Sequence, residues 1–351
     1  MSTAPAPGPR TLGLFEKRVE GDDSLLELAR LRFQQAGMGA EMHAALPEEL
    51  ERGLKFRPSP GAPVVAHLAR NIKLGDDTGR SRILDFAARF AGRVDGLVIH
   101  DQLEMAAHPE TLVRAARKLA SRLDKIRHGP MLFIEYAVGL EPAAFAHFAG
   151  KLRELGRIGS CIDIGHVGVW QARQSYAQLH AGADITALKG QTSPRPETIA
   201  EVQKAVATAL PVVLELIATI GALGKPVHFH LHDAHPLSTL SPFGVSDHLS
   251  FLAEIPVGFQ YHGRWSLPSM YGPAGLMRIA AKALEAIRPE RASFTLEIHP
   301  IEGRQPLGDA TALFTHWQDK TNAERMNHWL GVLQQNHSLL RQGLNATAED
   351  D

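Results

Sequence analysis

The stretch VHFHLH, residues 227–232, places three histidines at alternate positions of an otherwise apolar run. Alternate side chains of a strand share one face, so His228, His230 and His232 are expected to point the same way. The other three residues are apolar, which is typical of a parallel strand that is buried on both faces. Imidazoles that face inward from such a strand predict the interior of a (β/α)8 barrel, close to its C-terminal mouth.

Other apolar runs of the chain carry the same kind of side chain near their ends. LFIEYAVG contains Glu135, SCIDIGHVG contains Asp163 and His166, FQYHGRW contains His262, and FTLEIHP contains Glu297. One acid or imidazole at a strand end is ordinary, but recurrence around a barrel would place all of them over the same mouth. Burying these groups unpaired costs free energy, and a shared divalent cation is the simplest compensation.

Strand-like and helix-like stretches alternate along the chain, which predicts an α/β fold with a parallel sheet. An open doubly wound sheet normally carries a glycine-rich phosphate loop after its first strand, and the sequence contains neither GxGxxG nor a Walker A motif. We therefore predict a single-domain (β/α)8 TIM barrel over residues 11–342, with tails at 1–10 and 343–351. Its eight strands are expected near residues 11–15, 63–68, 96–101, 131–136, 158–164, 227–232, 258–263 and 293–298.

Two predicted connections are long. They cover residues 16–62 and 165–226, and the second is expected to carry an extra helix or lid element. The apolar helical stretch 196–224 contains Pro211, which is expected to break or kink it because proline has no backbone N–H to donate.

The overall charge and the cysteine content narrow the class of protein. The 37 basic and 38 acidic residues leave a formal net charge of -1, which offers no general attraction to nucleic acid or to an anionic membrane. The sequence shows no signal-peptide pattern and no apolar run near the roughly 20 residues of a membrane span. The single cysteine, Cys161, excludes an intrachain disulfide. We expect a cytoplasmic protein with a small-molecule partner; the C-terminal helix offers a dimerisation surface, so a homo-oligomer stays open.

Taken in chain order, Glu135, Asp163-x-x-His166, His230 and Glu297 resemble the ligand pattern of the xylose isomerase-like TIM barrel superfamily. That superfamily includes sugar isomerases and epimerases, inosose dehydratases and endonuclease IV, and the DIGH and LEIHP segments are the more specific parts of the resemblance. By similarity, Glu135, Asp163, His230 and Glu297 would be the four ligands of one divalent ion, on strands four, five, six and eight. The ion implied is Mn²⁺, Mg²⁺, Co²⁺ or Zn²⁺.

The sugar-acting branch of this superfamily implies an activity as well. It predicts a metal-dependent isomerase or epimerase, or a related dehydratase, that acts on a sugar, keto sugar or cyclitol. Glu135 and Glu297 would form the acid–base pair, in which one removes a C–H proton and the other returns a proton to the enediolate. His166 and Arg264 would hold a hydroxyl group or the developing oxyanion.

Three further histidines resemble ligands of the other branch. His67 and His100, near the ends of two early strands, and His248, in FGVSDHLSF, correspond to residues that complete the three-zinc cluster of endonuclease IV, although Ser246 stands where its first loop aspartate lies. These histidines are expected either to bind substrate or to hold a second metal. A multinuclear zinc phosphodiesterase therefore stays an alternative, and a non-catalytic barrel subunit, which would hold no metal, is a third.

Overall fold

The computed structural model describes residues 10–14, 23–56, 62–237, 248–249, 260–261, 265–299, 330–331 and 333–342. Within these residues, eight strands pair in parallel, each with the next, and the last pairs with the first to close a ring. The predicted (β/α)8 barrel is confirmed. The ring strands are β1 (Arg10–Leu14), β2 (Gly39–Ala44), β3 (Val64–Leu68), β4 (Gly96–His100), β5 (Met131–Glu135), β6 (Ile158–Asp163), β7 (Val227–Leu231) and β11 (Ala292–His299).

Helices cover the outside of the ring, and their apolar stripes pack on the strands in one continuous core. In α9, for example, the buried residues Val213, Leu216, Ile217 and Ile220 follow the three-and-four spacing of one helix face. The helices are α1 (Asp23–Gln35), α2 (Pro47–Lys55), α3 (Asp77–Arg89), α4 (Glu104–Ala107), α5 (Pro109–Leu123), α6 (Pro142–Lys151), α7 (Ile164–Leu179), α8 (Pro196–Val206), α9 (Ala209–Gly221) and α10 (Gly272–Ala286). Residues 330–331 and 333–342, here called the C-terminal helix, are also helical.

Strand β2 lies within residues 16–62, which the sequence predicted to be a long connection. Its sequence, GAEMHA, has only one large apolar residue, Met42, because Glu41 and His43 occupy alternate positions. Both polar side chains meet imidazoles of the barrel interior: Glu41 contacts His228 and His230, and His43 stacks on His67. A strand that faces a polar interior does not read as an apolar run, so the prediction missed it.

The predicted strand at residues 258–263 is wrong as a barrel strand. Gln260–Tyr261 (β9) pairs antiparallel with Trp265–Ser266 (β10) as a separate two-stranded ribbon. His248–Leu249 (β8) pairs antiparallel with β11 at the edge of the ring. One barrel strand, β2, was not predicted, and one predicted barrel strand pairs outside the ring. The predicted total of eight is therefore right, but the strands carry different numbers.

This renumbering changes where the expected ligands sit on the ring. Glu135, Asp163, His230 and Glu297 lie on β5, β6, β7 and β11, which are four consecutive strands of the closed sheet. Glu135 and Glu297 are therefore three strands apart, and not four as the predicted strand numbers implied. Side chains at equivalent ends of consecutive strands lie close together, which brings these four residues to one part of the mouth.

The long apolar segment Pro196–Gly221 has the length and composition of a membrane span, with 26 residues and a mean hydropathy of 1.6. A core helix of a soluble protein passes the same test, and this segment packs as outer barrel helices against α7, α6 and α10. It is divided at Ala207 and Thr208, and not at Pro211, which lies in the first turn of α9. The first N–H groups of a helix have no intrahelical acceptor, so proline is tolerated there.

Candidate metal centre

Four of the expected ligands converge at the C-terminal mouth of the barrel. Their side chains are buried, and His230 lies between the three acids. His230 Nδ1 is 3.2 Å from Glu135 Oε1, 3.7 Å from Asp163 Oδ2 and 3.7 Å from Glu297 Oε1. Strands β5, β6, β7 and β11 thus deliver three carboxylates and one imidazole to a single point.

A second group of imidazoles meets the other oxygen of Glu135. His67, at the end of β3, places Nε2 2.8 Å from Glu135 Oε2, and His100, at the end of β4, places Nε2 3.3 Å from the same atom. Ligand atoms of these three residues lie within 4.8 Å of one another. Each oxygen of the Glu135 carboxylate therefore faces a different set of imidazoles.

A third group surrounds Asp163, the last residue of β6. Helix α7 begins at the next residue, and Asp163 caps it by accepting the backbone N–H of His166 at Oδ1, with N and O 2.8 Å apart. His166 Nε2 lies 3.4 Å from Asp163 Oδ2, and His232 Nε2 lies 2.9 Å from Asp163 Oδ1. The Asp-x-x-His spacing brings the two side chains together because strand β6 passes directly into helix α7. The first turn of the helix places His166 next to Asp163.

In four of these histidines, one ring nitrogen faces the carboxylates of the mouth. The other ring nitrogen lies against an atom that can only accept a hydrogen bond. A neutral imidazole carries one N–H, so the proton must lie on that nitrogen and the other nitrogen presents a lone pair to the carboxylates. Metal-ligating histidines typically donate their outer N–H in this way. The four pairs are His67 Nδ1 with Leu68 O at 3.3 Å, His166 Nδ1 with Ala137 O at 3.0 Å, His230 Nε2 with Glu41 Oε1 at 3.1 Å, and His232 Nδ1 with Asp233 O at 2.9 Å.

Protons alone would satisfy these contacts only if all four rings were charged. The ring centroids of His67 and His230 are 5.6 Å apart and those of His166 and His232 are 6.3 Å apart, in a buried space where like charges repel strongly. A divalent cation replaces the extra protons and meets lone pairs and carboxylates at once. The donor set therefore fits a metal ion.

In the metal-free site, burial and the neighbouring imidazoles shift the pKa values of the acids. Burial opposes ionisation of Glu135, but the imidazoles of His100, His230 and His67 outweigh it and hold its pKa well below the usual value. Burial raises the pKa of Glu297 to about 7, because its imidazole neighbours compensate only in part. Burial lowers the pKa of His100 to about 3, so this ring is neutral and its lone pair is available at neutral pH.

Glu41 is the site residue that the sequence reading missed most clearly. It is fully buried on β2, beneath the mouth, and its carboxylate accepts from His230 Nε2, from His228 Nε2 at 3.0 Å and from Thr295 Oγ1. His228 in turn lies 2.6 Å from Ser293 Oγ. This network fixes the ring of His230 from below. The alternation of Glu41 and His43 in GAEMHA was the available signal.

Gly165, at the start of α7, lies against the ring of His232. A Cβ at this position would lie 2.1 Å from Cε1 of His232, so only glycine leaves room for that ring. The ring of His232 is thereby held over Asp163, in a position that the strand pattern of VHFHLH could not specify.

Two expected substrate-binding or second-metal residues cannot be placed. Arg264 lies outside the described residues, and for His248 only the backbone is described, paired with His299 of β11. The roles of these side chains stay predictions.

No protein-family model and no curated protein matches the chain significantly. Several solved structures of barrel enzymes do match the chain significantly. AsfvAP, in the crystal structure of AsfvAP:AG, is 16% identical with a TM-score of 0.52, covering 96% of this chain and 100% of that chain. The endo-beta-1,4-mannanase from Thermotoga petrophila is 7% identical with a TM-score of 0.44, covering 95% of this chain and 76% of that chain. The carboxyl transferase domain of Rhizobium etli pyruvate carboxylase with 3-bromopyruvate is 12% identical with a TM-score of 0.40, covering 94% of this chain and 48% of that chain. At these identities the likeness concerns the fold alone.

Proposed function

We propose that this protein is a metal-dependent enzyme that hydrolyses a phosphate ester at a centre of two divalent cations bridged by Glu135. One observation carries the proposal: the two oxygens of the Glu135 carboxylate face separate imidazole sets, with His67 and His100 on one side and His230 on the other. Carboxylates that bridge neighbouring cations are a feature of two-metal hydrolytic sites.

The ligands divide between the two cations as the contacts do. His67, His100 and Glu135 Oε2 would hold the first, and Glu135 Oε1, Asp163 and His230 would hold the second, with His166 within reach of it. A set rich in imidazole favours Zn²⁺ or Fe²⁺ over Mg²⁺. Two such cations, when bound, would clamp a phosphoryl group and lower the pKa of a bound water.

The charge of the mouth supports an anionic substrate only if two cations bind. Glu41, Glu135, Asp163 and Glu297 contribute four negative charges, which two divalent cations neutralise, whereas a single divalent cation leaves two negative charges. The first arrangement can accept a phosphate ester, and the second repels it.

The hydrogen bonding of Glu135 also bears on the choice between reactions. Three imidazole nitrogens lie within 3.3 Å of its oxygens, so neither oxygen is left facing open space to take a proton from a substrate carbon. Glu135 is thus better suited to hold cations than to act as half of an acid–base pair.

A metal-dependent isomerase or epimerase that acts on a carbohydrate-like molecule is the second candidate. It is supported by the convergence of Glu135, Asp163 and Glu297 on His230 Nδ1, which suffices for one cation. With a single cation the mouth stays negative, which suits an uncharged sugar better than a phosphate ester. Glu297 would then be the main proton-transfer group.

Activity measurements on one preparation separate the two candidates. The protein is loaded with Zn²⁺, Mn²⁺ or Fe²⁺ and assayed with bis(p-nitrophenyl) phosphate, with phosphomonoesters, and with keto sugars in D2O. We expect metal-dependent release of nitrophenol that is lost in Glu135→Gln. The control is Glu110→Gln, which alters an exposed acid of α5 paired with Lys151 of α6 and should keep the activity. Deuterium exchange into a sugar without ester cleavage would transfer support to the isomerase.

A further inference from the structure

Several neighbouring outer helices of the barrel are joined by ion pairs, but α3 and α5 are not. Three boundaries carry a pair between a base of one helix and an acid of the next, and these pairs are Arg52 (α2) with Asp23 (α1), Arg89 (α3) with Glu48 (α2), and Lys151 (α6) with Glu110 (α5). Helices α3 and α5 are in contact, yet no ion pair joins them among the described residues.

A groove of about 360 Å³ lies at the boundary between α3 and α5. The buried side chains of Leu84 and Leu119 line it together with the charged residues Arg80, Lys118 and Arg122. Pockets that hold small molecules have volumes of about 300–1,000 Å³ and combine an apolar lining with a few polar groups. The α3–α5 groove has the size and the lining of such a pocket.

The charge on the α3 side of the groove is already compensated. The guanidinium of Arg80 donates to the backbone oxygens of Leu74 and Gly75, at 2.7 and 2.8 Å, and it pairs with Asp77. Arg80 and Asp77 together add no net charge to the groove, and their contacts fix this wall.

Lys118 and Arg122 make the α5 side of the groove positive. Both side chains are exposed, and neither forms an ion pair with any described residue. They are four residues apart on α5, so their head groups lie on the same helix face, one turn from each other. The groove therefore carries two positive charges beside an apolar floor.

We propose that the α3–α5 groove binds a small phosphate monoester, whose phosphate contacts Lys118 and Arg122 and whose apolar group lies against Leu84 and Leu119. The planar guanidinium matches two oxygens of a phosphate group, and the ammonium supplies a second charge, so a dianion is preferred to a monoanion. The groove lies between outer helices and away from the mouth. The inference goes beyond the proposed function and does not depend on it.

Calorimetric titration of the full chain with phenylphosphonate, at mildly alkaline pH, tests the site. The phosphonate is not hydrolysed, and after chelation of the metal the acids of the mouth repel it, so the groove is observed by itself. We expect saturable binding before and after chelation, and weaker binding of benzoate, which carries one charge. Binding to the metal-free protein should weaken by about five- to tenfold in Arg122→Gln and in Lys118→Gln.

Arg117→Gln is the matched control, because it removes an exposed positive charge of α5 that does not line the groove. It should bind phenylphosphonate as the unmodified protein does. Absence of saturable binding overturns the inference. Equal weakening in Arg117→Gln and Arg122→Gln also overturns it, since binding would then reflect general attraction to the basic surface of α5. Binding in the groove without any release of nitrophenol contradicts the proposed hydrolase and leaves the groove site intact.

The same phosphate chemistry occurs in free metabolites and in the head group of phosphatidic acid. Cosedimentation with phosphatidylcholine vesicles that contain phosphatidic acid separates these two sources. Capture that Arg122→Gln abolishes and Arg117→Gln does not supports the groove and assigns its ligand to a lipid. Binding of phenylphosphonate without capture by the vesicles supports the groove and assigns its ligand to a free molecule.

Discussion

Glu41 lies outside the proposed cation site and orients one of its expected ligands, His230. Its carboxylate receives the N–H of His230 Nε2, which leaves Nδ1 to face Glu135, Asp163 and Glu297. His228 and Thr295 hold the carboxylate in turn. With a cation bound at Nδ1, this contact would be the outer half of a carboxylate–histidine–metal arrangement, and such partners contribute to affinity by orienting the ligand.

Glu41→Gln is expected to weaken cation binding without removing any ligand. An amide has one acceptor oxygen where the carboxylate has two, so it cannot receive both His228 and His230, and the ring of His230 loses its fixed orientation. We expect metal affinity to fall by about 10- to 100-fold, as for other outer partners of ligating histidines. Competition titration with a chelator measures it, and Glu48→Gln, a surface acid paired with Arg89, is the control. Unchanged affinity in Glu41→Gln would refute the positioning role.

Gly165 permits a second test at a single residue. In Gly165→Ala the new Cβ meets the ring of His232, which must move away from Asp163. We expect a loss of about 1–3 kcal/mol in the free energy of unfolding, typical of overpacking a well-packed interior. Gly150→Ala in α6, where no atom lies within 4 Å of the added Cβ, should not lower the free energy of unfolding. Equal behaviour of the two variants would show that Gly165 is not a packing requirement.

Among the elements, the apolar parallel strands were predictable and the polar one was not. β3, β4, β5, β6 and β7 read directly from their apolar runs because both faces are buried. β2 did not, since its inward face carries Glu41 and His43. The run at 258–263 has similar composition to a barrel strand, yet its residues 260–261 pair with residues 265–266 in a separate ribbon. Pairing partners cannot be read from one strand.

Helix α9 shows that the position of a proline within a helix matters more than its presence. Pro211 is the third residue of α9, where the N–H group would have no intrahelical acceptor. We expect Pro211→Ala to change the free energy of unfolding by less than about 1 kcal/mol, whereas Leu214→Pro, one turn later, should cost about 3 kcal/mol or more. Denaturant unfolding of both variants measures this. A large loss in Pro211→Ala would place the proline inside the hydrogen-bonded part of the helix.

At the scale of the whole molecule, the fold gathers ligands that are far apart in sequence. The order of strands in the ring brings residues 135, 163, 230 and 297 onto consecutive strands, which explains why a pattern of strand-end acids and imidazoles could indicate the site. The pattern could not give the division of those residues into sets around Glu135 and Asp163. That division depends on rotamers and on contacts such as His232 with Gly165, which sequence spacing does not determine.

The C-terminal helix packs on the barrel through Leu330, Leu333 and Leu340, which are fully buried, and Gln334 bonds to the backbone of Arg32 in α1. Its imidazole His337 is also buried, and burial, with the nearby Arg341, lowers the pKa of this group from 6.5 to about 4. The folded state therefore binds fewer protons than the unfolded state between these two values. Stability due to this group is present above pH 6.5 and is lost as the pH falls towards 4.

His337→Gln should flatten this part of the pH profile. Without the imidazole, the decrease in the free energy of unfolding between pH 6.5 and 4 is expected to be smaller by at most about 3 kcal/mol. Urea unfolding of metal-free protein across this range isolates the effect from the cation ligands, and His180→Gln, a half-buried imidazole elsewhere, serves as the control. If the profiles of His337→Gln and the unmodified protein coincide, the C-terminal helix is not docked as described.

The Glu135 carboxylate is proposed to bridge two divalent cations in the barrel mouth. Anomalous scattering at the zinc edge, from crystals grown with Zn²⁺, tests it most directly. We predict two peaks, each about 2.0–2.2 Å from a different oxygen of Glu135, one of them next to His67 and His100 and the other next to His230. A single peak, or none within coordination distance of Glu135, would contradict the account.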